Sequence, residues 1–203
     1  MSEQLNARQL GIIVVFLILT YLAHMLGQVV QIGGAQLAPS IVVYTLLALL
    51  IAPVNGWAVL AIVGVVVGLL TMVATSSPYP LANIPAHLGG FLFASLLAKV
   101  RPNRGGAVET GVLATAVVLT TLISWTLFAA GTWFGLRGTE FAARTWERFG
   151  ITFGTGFWGW WLYGLIGVGI PTLLVGLVLS PVLARLVSLG AGSRGRGQSA
   201  TPR

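Results

Sequence analysis

Six apolar blocks, with every charged side chain lying between them or at their rims, constrain this chain more than any other feature. The blocks run from Leu10 to about Val30, Gln36 to Ala52, Trp57 to Ala74, Ile84 to Lys99, Val108 to Phe134 and Trp158 to Val187. A helix needs about 20 mostly apolar residues to cross the hydrocarbon of a bilayer. Only 7% of the residues are charged, and none is Asp. Water-soluble domains carry roughly 25% charged residues, so a water-soluble fold is excluded. The expected fold is all-α: a polytopic membrane protein of six transmembrane helices over residues 1–189. A Gly/Ser/Arg-rich tail, 190–203, is expected to be disordered and cytoplasmic. The polar start, Met1 to Leu10, carries Glu3 and Arg8 and is followed by no evident cleavage site. The first block therefore reads as a retained span and not as a signal peptide.

The breaks between blocks have turn chemistry. Pro53-Val54-Asn55-Gly56 is a tight turn by its residue types, and Thr75 to Asn83 is a polar loop with two prolines. Pro85 suits the first turn of the fourth helix. The sixth block is long, which predicts a tilt, a bend at Pro171 or an interfacial start. Six spans put both termini on one side. That side carries Arg8, Lys99, Arg101, Arg104, Arg185, Arg194, Arg196 and Arg203; the other carries Arg137, Arg144 and Arg148, partly offset by Glu140 and Glu147. The excess of basic residues places both termini in the cytoplasm of a cell whose plasma membrane the chain spans. The net charge of +7 thus reads as topology and not as a nucleic-acid partner. Trp133, Phe134, Phe157, Trp158, Trp160 and Trp161 fall where an outer aromatic belt belongs, and Trp57 marks the inner boundary.

The same poverty of charge narrows function. The four acids are Glu3, Glu109, Glu140 and Glu147, and none lies mid-span. Paired carboxylates for acid–base work are missing, as are nucleophile and P-loop motifs, so an enzyme is not expected. There are no cysteines, and His24 and His87 have no acid nearby in the sequence, so neither a metal nor a cofactor is expected. What remains is a set of neutral polar and aromatic residues in the outer half of the spans. His24, Gln28 and Gln31 are spaced four and three apart, on one helix face. Thr71 ends the third span; Asn83 and His87 stand four apart around Pro85; Trp158 opens the sixth. Converging, these would line a small uncharged pocket for a neutral or zwitterionic solute with a ring. Simpler roles stand beside this one. Gln28 sits at a membrane boundary where polar residues are ordinary, Trp158 can belong to the aromatic belt, and Asn83 can cap the fourth helix. His87 lies one turn into an apolar helix, where a polar group is costly without a partner.

Small residues recur every four positions at Gly90, Ala94 and Ala98, at Gly64 and Gly68, and at Ala48 and Ala52. Such stripes let helix backbones approach closely in lipid. They serve packing within the bundle, or, along Gly90-Ala94-Ala98, docking of another membrane subunit.

The order of features from Gly56 to Lys99 is familiar. Gly68-Leu69-Leu70-Thr71 ends the third span, a proline-bearing loop follows, and Asn83-Ile84-Pro85 leads into a span with Phe91, Leu92 and Phe93. Upstream are a first span with a His, a glycine-rich loop at Gly33-Gly34 and a second span ending at Pro53. This run resembles the substrate-binding S components of energy-coupling-factor transporters, most of all the tryptophan transport proteins. The resemblance covers about residues 10 to 100. It implies a six-helix membrane subunit that captures a vitamin or an aromatic amino acid such as tryptophan on the outer side. It also implies a separate transmembrane coupling protein and two ATPase subunits, which agrees with the absent P-loop. Many S components carry an alanine-rich docking motif in the first span, whereas Leu10 to Gln28 has only Ala23. The competing reading is a non-transporting membrane assembly protein, its small-residue faces docking other subunits and its basic tail resting on anionic lipid.

Overall fold

The computed structural model describes residues 6–29, 31–32, 35–77, 79–101, 108–140 and 156–192. Gly33-Gly34, the basic turn at 102–107, the polar stretch at 141–155 and the tail from 193 onward lie outside them. Within them the chain is an all-α polytopic bundle. The helices are α1 (Ala7–Val29), α2 (Ser40–Ile51), α3 (Trp57–Ala74), α4 (Asn83–Val100), α5 (Thr110–Leu136), α6 (Gly156–Gly164) and α7 (Ile170–Gly192). A π-helical turn, Leu165–Gly169, joins α6 to α7, so these two form one long span. Five spans are long and apolar enough to cross a membrane among the described residues.

The sixth membrane-depth segment is α2, and it differs from the others. It has 12 residues, ten of them buried. At about 1.5 Å per residue it covers only about 18 Å of the roughly 30 Å of hydrocarbon. Its sequence, Ser-Ile-Val-Val-Tyr-Thr-Leu-Leu-Ala-Leu-Leu-Ile, is apolar almost all round, as suits a helix enclosed by protein on every side. Non-helical backbone is tolerated at membrane depth only where protein buries it, and enclosure permits the short helix. The sequence placed the start of this span at Gln36. The helix instead begins at Ser40, after Pro39, and Gln36 pairs with Gln31 in a two-residue antiparallel ribbon, Gln31–Ile32 with Ala35–Gln36.

Contacts at each end fix the up-and-down order. At the end nearest residue 7, Lys99 donates from Nζ to the Asn55 carbonyl at 2.8 Å and lies over the Trp57 ring at 5.5 Å. The turn between α2 and α3 and the end of α4 therefore share this proximal end. At the opposite, distal end Gln28 accepts from the Ser76 backbone N–H at 3.1 Å. Gly27 lies so close to the Leu37 carbonyl and Pro39 that a side chain there would overlap them. The Tyr79 ring lies against Gly135 in the same way.

Small residues set the central packing. A Cβ on Gly68 would lie 2.9 Å from the Ile84 Cα, so α3 and α4 touch backbone to backbone. Gly90, Ala94 and Ala98 are buried in the bundle, Gly90 against Ser124, Tyr44 and Thr120. The docking role considered for this stripe is thereby corrected: close approach of α4 to α2 and α5 occupies it. The face open to lipid is elsewhere, as on α1 at Val14, Ile18, Leu22 and Val29.

The last span carries its irregularity at Leu165–Gly169, just before Pro171. The Ile170 N–H bonds to the Leu165 carbonyl, a five-residue step. Pro171 has no N–H to continue a regular ladder, and the widened turn absorbs the mismatch. Below it, the Thr172 hydroxyl, fully buried, accepts the Ala38 N–H at 2.9 Å and so ties the last span to the start of α2. Thr172→Val leaves that N–H without an acceptor and is expected to destabilise the protein by about 1 kcal/mol, with Thr172→Ser near neutral. Denaturant titration of the purified protein reads both; equal stabilities for the two variants would remove this tie from the account.

Candidate functional site

Four helices bring polar side chains to one place in the distal half. His24 comes from the last turns of α1, Ser40 and Tyr44 from the first turns of α2, Asn83 and His87 from the start of α4, and Ser124 from the middle of α5. All six are buried. The fold explains the convergence: α2 is central, α4 packs on it through Gly90, and the tight Gly27 contact brings the end of α1 against Pro39.

The hydrogen bonds have a readable direction. The Asn83 amide Nδ2 donates to the Pro80 carbonyl at 2.9 Å, which turns its Oδ1 toward His87. Nε2 of His87 lies 3.2 Å from that oxygen and must carry a proton to donate to it. A neutral imidazole then has a bare Nδ1, which accepts from the Tyr44 hydroxyl at 3.3 Å. Having donated there, the Tyr44 oxygen accepts from the Ser124 hydroxyl at 2.7 Å. His24 stands beside this chain, its Nδ1 3.0 Å from Ser40 Oγ. The His24 and His87 rings meet edge to face, centroids 5.5 Å apart at 87°, and the Tyr44 and His87 rings do so at 5.4 Å and 76°. Nε2 of His24 is buried and has no hydrogen-bond partner.

Of the residues singled out from the sequence, His24, Asn83 and His87 come together here. Asn83 is not the helix cap considered for it: Ala82 holds that position, and the Asn83 side chain reaches back to Pro80 and across to His87. Thr71 is buried, but its hydroxyl bonds the Val67 and Gly68 carbonyls of its own helix at 2.9 and 3.0 Å. Gln28 is at the rim, bonded to Ser76. Trp158 is 70% exposed and packs edge-on against Phe157 and Trp161, so it belongs to the aromatic surface and not to the buried group. Ser40, Tyr44 and Ser124 were not foreseen. The available signal was the one that drew attention to His87: a lone polar group inside an apolar helix that must find a partner.

Among the described residues no group of three or more His, Cys, Asp or Glu is placed to hold a metal ion. The fold defines a class: a polytopic helical membrane protein with a neutral polar centre buried in one half. Comparison of the chain with known protein families, with curated proteins and with solved structures gives no match.

Proposed function

We propose that this chain is the substrate-binding membrane subunit of a small-solute uptake transporter of the energy-coupling-factor S-component type. Its solute is a ring-bearing micronutrient: a vitamin or an aromatic amino acid such as tryptophan. The observation that carries the reading is the convergence of His24, Tyr44, Asn83 and His87 from three separate spans, whereas other buried polar side chains, such as Thr20, Thr71, Ser95, Thr121 and Ser180, bond carbonyls of their own helices. Polar groups are expensive at membrane depth, and their gathering at one point marks a solute site by default. The distribution of basic residues puts the distal half, and so this group, on the outer side, with both termini in the cytoplasm. Gln28 lies at the distal rim, bonded to Ser76. A transmembrane coupling protein and two ATPase subunits supply the movement, and they dock on a lipid-facing surface other than the Gly90 stripe.

The test is direct. The purified protein in lipid nanodiscs is titrated with a panel of amino acids and vitamins, followed by intrinsic tryptophan fluorescence and calorimetry. One member is expected to bind, and His87→Leu is expected to weaken that binding at least about tenfold by stranding Asn83 and Tyr44. No binding across the panel, with unaltered solute uptake in a deletion strain, would overturn the reading. One observation favours the alternative of a non-transporting assembly protein: the chain from Asn83 to Ser124 is already closed on itself. That alternative expects His87→Leu to lower stability and partner recovery and to leave solute uptake unchanged.

A further inference from the structure

A second arrangement of side chains stands at the proximal end, away from the histidines. Lys99, in the last turn of α4, is half-buried, and two contacts hold its ammonium. Nζ donates to the Asn55 carbonyl at 2.8 Å and lies 5.5 Å from the centroid of the Trp57 ring. Asn55 is itself fixed: it is buried, and its Nδ2 donates to the Ile51 carbonyl at 2.7 Å. The charge is therefore placed by the fold and does not swing free on a long side chain. An ammonium has three protons to give. One goes to Asn55, and the ring face attracts the charge from a second side. The remaining donor direction has no acceptor among the described residues.

The surroundings combine charge with apolar surface. Arg101, two residues on, follows the end of α4; it is exposed, and its side chain has no bond among the described residues. At the same rim Val54, Trp57 and Val100 are 56%, 49% and 70% exposed. A soluble anion would satisfy the charge and leave that apolar surface bare, whereas a phospholipid covers both. Trp57 marks the level, since an indole prefers the boundary between hydrocarbon and headgroups. The rest of this end is of the same sign. Arg8 opens α1 and Arg185 lies late in α7, against one acid among the described residues there, Glu109. The distal rim lacks the combination: its described cation, Arg137, lies over Phe134, with Glu140 three residues on.

We propose that Lys99 and Arg101 hold the phosphate of a net-anionic phospholipid at the proximal rim, with its chains against Val54, Trp57 and Val100. The phosphate oxygens accept charge-assisted bonds from the ammonium and the guanidinium. A net-negative head balances these two cations, which a zwitterionic head, carrying its own cation, does not. The lipid also acts on the fold. Lys99 joins the end of α4 to the turn after α2, so a phosphate on Lys99 secures the anchor of the short helix. This site is separate from the polar centre and holds whether or not the chain captures a solute.

Two lipids with identical chains provide the test: phosphatidylglycerol, which is anionic, and phosphatidylcholine, which is zwitterionic. The full-length protein in detergent micelles is titrated with each, and native mass spectrometry gives the affinity for the first lipid bound. Phosphatidylglycerol is expected to bind about tenfold more tightly. Lys99→Gln and Arg101→Gln are each expected to weaken it about fivefold and to leave phosphatidylcholine unchanged. Lys99→Gln also loosens the turn at Asn55, so if that variant fails to fold, Arg101→Gln decides. Arg8→Gln removes an equal charge from the same end, on a helix without the ring and carbonyl that hold Lys99, and is expected to change binding by less than about twofold. Equal binding of the two lipids overturns the proposal. So does an equal loss in Arg8→Gln and Arg101→Gln, which would make the attraction a diffuse property of the whole basic end. Displacement of phosphatidylglycerol by millimolar inorganic phosphate would make a free anion the ligand and overturn the lipid assignment.

Discussion

Replacing Gly164 by alanine is expected to destabilise the protein by about 3 kcal/mol, at the upper end of the cost of overpacking a tight core. The cause is local. A Cβ on Gly164 would overlap Cζ2 and Cη2 of Trp125 and come within 2.9 Å of its Cε2. That indole has nowhere easy to go. Its Nε1–H donates to the Trp161 carbonyl at 2.8 Å, while the Trp161 indole donates to Thr126 Oγ1 at 2.9 Å, so α5 and α6 hold each other by two reciprocal bonds. Phe128 also packs on Trp125, ring centroids 5.6 Å apart. Moving the ring breaks the first bond and strains the second, and in a membrane no water replaces them. Gly167→Ala, three residues on, is the control, because a Cβ there meets nothing within 4 Å. Thermal unfolding followed by tryptophan fluorescence compares the two. Similar midpoints would mean that Trp125 can swing aside, and the clasp between α5 and α6 would lose its significance.

This clasp also illustrates what the sequence could and could not disclose. The third span runs from Trp57 to Ala74 as its turn chemistry indicated, because Gly56 and Thr75 stop the helix through their own backbone preferences. Such boundaries are local and therefore legible. The short α2 was not, because its length depends on being surrounded: a hydropathy pattern records that a segment is apolar, not whether lipid or protein touches it. The π turn at Leu165–Gly169 was not itself foreseen, since the length of the span pointed only to a tilt, a bend at Pro171 or an interfacial start. The π turn packs against α5 and against Ala35–Gln36, both distant in sequence, so its place does not show in the local pattern.

The same division runs through the polar centre. His24, Asn83 and His87 were visible because each is a strong hydrogen-bonding group in or beside an apolar run. Tyr44 and Ser124 were hidden in plain apolar context, their partners 43 and 80 residues away for Tyr44. Trp158 and the Gly90 stripe were misplaced for one shared reason. A helix has several faces, and sequence spacing says which residues share a face without saying which face turns inward.

Tyr44→Phe puts this centre to the sharper test, since Tyr44 links two helices by one oxygen. The side chain is fully buried, and its hydroxyl joins Nδ1 of His87 on α4 to Ser124 Oγ on α5. Phenylalanine keeps the ring and its edge-on contact with His87, so packing is conserved and only the hydroxyl is lost. The bare Nδ1 and the Ser124 hydroxyl are then stranded together, and the expected cost is about 2 kcal/mol. Ser124→Ala alone removes one neighbour and leaves the Tyr44 bond to His87, a smaller loss. In the double variant Tyr44→Phe with Ser124→Ala, the stranded serine no longer exists, so the losses do not add. A coupling of about 1 kcal/mol is expected, within the range found for interhelical hydrogen bonds in membranes. Titration with a denaturing detergent across the four proteins of the cycle measures it. Strict additivity would mean that the hydroxyls of Tyr44 and Ser124 do not act on each other. The directed chain from Ser124 through Tyr44 and His87 to Asn83 would then fail at its first link, although the Nε2 proton of His87, which rests on the Asn83 bond, would stand.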